Sequence, residues 1–161
     1  MRPASHAVEF ELLPHVGAGP LRFGMSRANV RTMLSGLGFP LDNEHLTLDH
    51  FCESAIRAEY KNDSLSFVEF WCHERTVARY RGTDVFSVTA EKLFTIIAGF
   101  EGRGPHAYDP SEYVFPEQII ALWGADPQYD CRTRQSRIVW GTVAVGDARY
   151  LQAVQALASD S

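Results

Sequence analysis

Positive charge is scarce in this chain of 161 residues. Fifteen Lys and Arg face 20 Asp and Glu, a formal charge of −5. A nucleic-acid-binding role is excluded on that ground, because such proteins gather cations along one face. The nearest basic cluster, Arg132, Arg134 and Arg137, reads as a solvated loop. Long apolar runs are also lacking. None approaches the roughly 20 residues that cross a bilayer, so no membrane role is expected. The opening "MRPASHAVEF" has no apolar segment of the signal-peptide kind. Cysteine is limited to Cys52, Cys72 and Cys131, an odd number at no disulfide-framework spacing. Together these absences lead to the expectation of a cytoplasmic protein in a reducing compartment. Nucleotide and hydrolase signatures are missing too: there is no GK[ST] loop, no G-x-G-x-x-G and no G-x-S-x-G elbow.

What is present is core-forming material. Hydrophobic residues make up 45% and aromatics 12%, enough for a single domain over residues 1–161. "HAVEFELLP" alternates as a half-buried strand, with Val8, Phe10 and Leu12 on one side and Glu9 and Glu11 on the other. A helix is predicted from Ser26 to about Leu37. Ser26 serves as N-cap, Met25 is placed to staple onto Val30, and Val30, Met33, Leu34 and Leu37 form one stripe. "SAIRAEY" and "SLSFVEFW" flank "KND", a hairpin signal. Setting Arg57 opposite Glu69 puts Ile56, Ala58, Tyr60, Val68 and Phe70 on one face. "TVARYRG" follows as a third strand.

The pattern then recurs. "FSVTAEKLFTIIAGF" (Phe86 to Phe100) aligns without a gap on "FGMSRANVRTMLSGL" (Phe23 to Leu37), matching the Phe, the staple position, the Ser/Thr cap and the apolar stripe. "EYVFPEQIIALW" is similar to "EYKNDSLSFVEFW", and "SRIVWGTVAVG" ends in glycine as "TVARYRG" does. The expected fold is α+β. It comprises two tandem α-β-β-β units, about 19–82 and 83–146, after an N-terminal strand. Their helices pack on one face of an antiparallel sheet, and a C-terminal helix covers about 147–158.

The stretch "GPLRFGMSRANVRTML", with the later "YVFPEQIIALW" (Tyr113 to Trp123) and "VAVG" (Val143 to Gly146), resembles a loose group of small bacterial proteins. Some of these look like immunity proteins of toxin systems. The helix start is also similar to the repeat of the β-lactamase inhibitor protein and of small outer-membrane assembly lipoproteins. The resemblance implies a helix-on-sheet binding module without catalysis. The lipoproteins' signal peptide and anchor cysteine have no counterpart here.

Four sites come into question. The glycine-bearing turn before the first helix, with Arg22 and Arg27, has the layout of an anion cradle, but the second copy replaces Gly24 by Ser87, which favours a purely structural turn. His50, Cys52, Cys72 and His73 are the metal-ligand candidates, although H-x-C…C-H fits no standard zinc spacing and strand neighbours point apart. Cys72 beside His73 suggests a thiolate–imidazole pair, for which a partner from elsewhere in the chain is needed. Finally, Phe67, Trp71, Trp123 and Trp140 are expected on the sheet face away from the helices, a surface of the kind that binds partners. The reading adopted is a non-catalytic binding protein of the immunity or accessory type. It needs no cofactor, and its protein partner is a toxin or a second copy of the chain. The alternatives are a small metal protein or enzyme centred on His50, Cys52 and Cys72, and a small-molecule binder with a pocket between sheet and helices.

Overall fold

The computed structural model describes residues 7–102, 104–130 and 135–159; Cys131, Arg132 and Arg134 lie outside them. The fold is α+β with a C-terminal helix. Three strands, β1 (Val8–Leu13), β2 (Gly17–Ala18) and β3 (Leu21–Arg22), precede helix α1 (Arg27–Gly36). Next come β4 (Leu41–Glu44), β5 (Leu48–Phe51), β6 (Ile56–Lys61), β7 (Ser64–Trp71), β8 (Thr76–Tyr80) and β9 (Thr83–Asp84), then α2 (Ala90–Ala98). The chain continues through β10 (Glu112–Phe115), β11 (Ile120–Asp130) and β12 (Gln135–Gly146) into α3 (Ala148–Ser159). Seven strands form an antiparallel sheet in the order β10-β11-β12-β7-β6-β5-β4. The other five form a smaller sheet, β3-β2-β1-β8-β9, in which β1 and β8 run parallel. No helix among the described residues is long and apolar enough to cross a membrane.

Local chemistry accounts for the element boundaries. The Ser26 hydroxyl accepts from the Asn29 N–H at 3.2 Å, and Thr89 repeats this with Lys92 at 3.3 Å, each satisfying a donor that a helix start leaves open. Asn62 and Asp63 both take positive φ (51° and 64°), the backbone that lets a two-residue turn join twisted strands. Arg57 does pair with Glu69, and Ile56, Ala58, Val68 and Phe70 face inward. Of the α1 stripe, Val30 and Leu34 are buried, whereas Met33 and Leu37 are partly exposed at its edge.

The two α-β-β-β halves are present, with one strand reassigned. "TVARYRG" (β8) does not lie beside β7, because β12 occupies that edge; β8 pairs with β1 in the small sheet instead. The strands holding equivalent places are β5-β6-β7 and β10-β11-β12. Their first hairpins share Phe-x-Glu-x-x-Ile: Phe51 pairs with Ile56, and Phe115 with Ile120. The third strands end alike too, since the Trp71 N–H donates to Ala55 O and the Gly146 N–H to Ile119 O, both at 2.9 Å. Between the halves, the β7–β12 register runs from Phe67–Gly146 through Glu69–Ala144 to Trp71–Thr142.

The inner face of the large sheet (Ile56, Val68, Phe70, Val143, Val145) is packed by α1, α2 and the small sheet, with the Phe10 ring 5.2 Å from that of Phe70. These side chains are buried against one another, so the middle of the space between sheet and helices is core. Gly19 belongs to that packing. Its φ is +55°, and a Cβ there would sit 2.9 Å from the Phe10 ring. The third helix lies on the outer face.

One buried charge fastens α1 to the sheet edge. Asp49 is fully buried, and its carboxylate accepts from Arg27 (Nη2 to Oδ1, 2.7 Å) and Arg31 (Nε to Oδ2 and Nη2 to Oδ1, both 2.8 Å). Burial pushes its pKa up, but the hydrogen bonds to Arg31 and Arg27 prevail and hold it at about 2, below the ordinary 3.8. A depressed carboxylate contributes stability that is complete above the unfolded-state pKa and lost as pH falls toward 2. The contribution is at most about 2 kcal/mol, because both guanidiniums keep some contact with water. In chemical denaturation at pH 7, Asp49→Asn is expected to cost about 2–4 kcal/mol, since it leaves two cations without their shared anion. It should also flatten the decline in stability between pH 4 and pH 2.

Candidate functional site

The outer face of the large sheet carries Leu48 and His50 on β5, Arg57 and Glu59 on β6, and Phe67, Glu69 and Trp71 on β7. Helix α3 covers only one end of it. The Tyr150 ring stacks on Phe67 with centroids 4.3 Å apart, and Trp123 approaches Phe67 edge-on at 6.1 Å. Gly146, opposite Phe67, makes room for this. A Cβ there would lie 2.7 Å from the Tyr150 ring. Asp147 starts the helix by accepting the backbone N–H groups of Arg149 and Tyr150 at 3.0 and 3.2 Å. The Phe67 end of the β7–β12 ladder is therefore closed.

The other end is open. Trp71, paired with Thr142, is 44% exposed. Beside it runs the cross-strand row His50–Arg57–Glu69, and the β5–β6 turn and the residues after Trp71 form a rim. These enclose a cavity of about 350 Å³ lined by His50, Arg57 and Trp71 from the sheet and by Glu53, Ser54, Ala55, Cys72 and His73 from the rim. Arg57 Nη1 holds Glu69 Oε2 at 3.0 Å, while the Arg57 Nε is buried without a partner. Burial pushes the Glu69 carboxyl up, with Arg57 opposing, and burial raises Glu59 as well. Burial, then the nearby charges of Arg57 and His45, push His50 down, which favours its neutral imidazole.

Comparison of the chain with models of protein families, with curated proteins and with solved structures finds no significant match. The site must be read from its own geometry.

That geometry divides the four aromatics. Trp71 alone is openly presented. Phe67 is 4% exposed beneath Tyr150, and Trp123 is half-buried beside it. Trp140 does not lie on this face at all: it is 0% exposed in the main core, and its indole N–H donates to Ala90 O at 2.9 Å. The bulky, hydrogen-bonded side chain fills the space under α2, and this is why it turns inward. Three of the four proposed contact residues thus belong wholly or partly to packing.

The metal and thiol candidates gather at the same rim, in a different combination from that expected. His73 meets Cys52 (Sγ to Nδ1, 3.6 Å), and its Nε2 lies 3.4 Å from Glu53 Oε2; His50 instead reaches Ser54 Oγ at 3.2 Å. Among the described residues no three or more His, Cys, Asp or Glu side chains are arranged to hold a metal ion. The Cys52–His73–Glu53 line has the residue types of a nucleophile, base and orienting acid. Its protonation works against that role. The Arg75 N–H donates to His73 Nδ1 at 3.0 Å, occupying the nitrogen that would take the thiol proton, and burial pushes the Cys52 thiol up. The α1 turn offers no anion cradle either. The backbone N–H of Arg27 donates to Asp63 O and its guanidinium binds Asp49, while Arg22 bonds back to Gly19 O.

Arg57, Ser54 and Ala55 are the cavity residues that the sequence did not mark as site candidates. Arg57 marked a register in the sequence; its role as the cation of an open row follows only once α3 is seen to cover the other end. In a Cys72→Ser, Cys131→Ser variant, Cys52 is expected to react with a disulfide reagent at pH 8 orders of magnitude more slowly than in the urea-unfolded chain. Comparable rates would show that the thiol is accessible and restore the nucleophile reading.

Proposed function

We propose that this is a binding protein whose contact surface is the uncovered, Trp71 end of the outer sheet face, with a protein as partner. The observation carrying the reading is the unequal covering of one ladder. About the central Glu69–Ala144 pair, Phe67–Gly146 and Trp71–Thr142 occupy equivalent positions. The first is roofed by the chain's own helix. The second has the same sheet beneath it but no roof among the described residues, and it leaves a tryptophan in the open beside an arginine. A large exposed aromatic next to a cation is the side-chain composition of interface anchors. A partner element would take over this end the place that α3 takes over the other.

The resemblance of the α1 start to immunity-type and inhibitor modules points to the same class of function. Under this proposal Trp71, Arg57 and the rim at Glu53 and His73 make the contact. Phe67 supports the surface from below α3, Trp123 borders it opposite Thr142, and Trp140 only holds the core.

Affinity capture from the organism that makes the protein tests this. Trp71→Ala is expected to weaken retention of the partner at least about tenfold, the loss of one anchor worth roughly 1.4 kcal/mol or more, with the unfolding midpoint nearly unchanged. Trp140→Ala should instead destabilise the fold by about 3–5 kcal/mol. Undiminished capture by a folded Trp71→Ala protein would refute the assignment.

A further inference from the structure

The cavity beside Trp71 is unbalanced in its hydrogen-bonding groups, and the imbalance says what it accepts. One oxygen of each of its acceptor side chains is already in contact with a neighbour. Glu69 Oε2 takes Arg57 Nη1 at 3.0 Å, Glu53 Oε2 faces His73 Nε2 at 3.4 Å, and Ser54 Oγ pairs with His50 Nδ1 at 3.2 Å. Its donors are not exhausted. The Arg57 Nε–H is buried with no partner, and a buried donor left unpaired is costly until an acceptor arrives. Next to this cation lies an exposed indole, which offers an apolar ring face and an N–H at its edge. A volume of about 350 Å³ suits one aromatic or branched side chain with its polar head.

We infer that this cavity receives a carboxylate carried on an aromatic or apolar group, with the group packed on the Trp71 ring and the carboxylate drawn to Arg57. The inference rests on the Trp71 end being the contact surface, and it specifies the partner's anchor: an acidic side chain or chain terminus beside a hydrophobic one. The chain's net charge of −5 favours cationic partners at long range. Within the cavity that preference is reversed, because the buried lining atom without a partner there is a guanidinium donor.

The probes are phenylacetate, the neutral isostere phenylacetamide and the charge-reversed phenethylammonium, titrated into the full chain while the Trp71 indole N–H resonance is followed. Phenylacetate is expected to shift that resonance saturably and to bind at least about tenfold more tightly than the amide, a difference of about 1.4 kcal/mol; phenethylammonium should bind weakest. Arg57→Lys keeps a partner for buried Glu69 and should narrow the gap between acid and amide, whereas Trp71→Leu, followed through the backbone N–H resonances of Ala55 and Cys72 because the indole is gone, should weaken both together. Equal or tighter binding of the amide or the ammonium compound overturns the carboxylate assignment, as does the absence of any saturable shift with phenylacetate at about 10 mM, a concentration that detects even a millimolar site. The two readings can fail separately. If no probe binds while Trp71→Ala still loses the partner, the anchor chemistry falls and the surface stands. If phenylacetate binds as expected while capture is indifferent to Trp71, the cavity is an acid-binding site and the partner surface lies elsewhere.

Discussion

The ladder between β7 and β12 is the constraint from which the rest of the molecule follows. It fuses two αβββ halves into one seven-stranded sheet, with Glu69 opposite Ala144 at its centre. Because β12 takes the free edge of β7, β8 has no place in the large sheet. It turns away to build a second sheet with β1, and that small sheet packs the inner face between the two helices. The ladder also presents two equivalent ends on the outer face, and among the described residues a helix, α3, covers one of them.

Each half is locked by a buried polar cluster rather than by apolar contact alone. In the first, Asp49 ties α1 to β5 through Arg27 and Arg31. In the second, Glu101 accepts the backbone N–H groups of Glu117 and Gln118, while the Gln118 amide donates to Ile97 O and accepts from the Tyr80 hydroxyl. This joins the end of α2, the β10–β11 turn and β8. Satisfied networks of this kind favour one arrangement over its near alternatives. They also hold still the scaffold on which the β5–β6 turn and its cavity are carried. The rim itself is less regular: Cys52, Glu53 and Ser54 all take positive φ, unusual for three consecutive side-chain-bearing residues.

Local signals were legible in the sequence because they depend on near neighbours. The Ser26 and Thr89 caps, the Asn62–Asp63 turn and the Arg57–Glu69 register all appear as the residue pattern implies. Long-range choices were not. Nothing in "TVARYRG" announces that β7's edge is already taken, and the competing match between Phe51–Ile56 and Phe115–Ile120 was hidden because the hairpins that follow, β6–β7 and β11–β12, differ in length. The site was partly visible. His50, Cys52, Cys72 and His73 do converge on one rim, yet which of them touch depends on side-chain direction at the turn, so Cys52 finds His73 while His50 turns to Ser54. The fates of the aromatics depend on α3 and α2, whose docking no strand periodicity encodes. Trp71 stays open because α3 sits over Phe67, and Trp140 is lost to the core because α2 needs its bulk.

The central claim is that the uncovered end of the ladder is where this protein meets its partner. Site-specific photo-cross-linking addresses it most directly, with a benzophenone side chain placed at position 71 or, as a control on the outer surface of α1, at Met33, in the cells that make the protein. The account predicts one discrete protein adduct from position 71 and none from position 33. An adduct from position 33 with none from position 71 would contradict it, and would move the contact surface to the opposite side of the sheet.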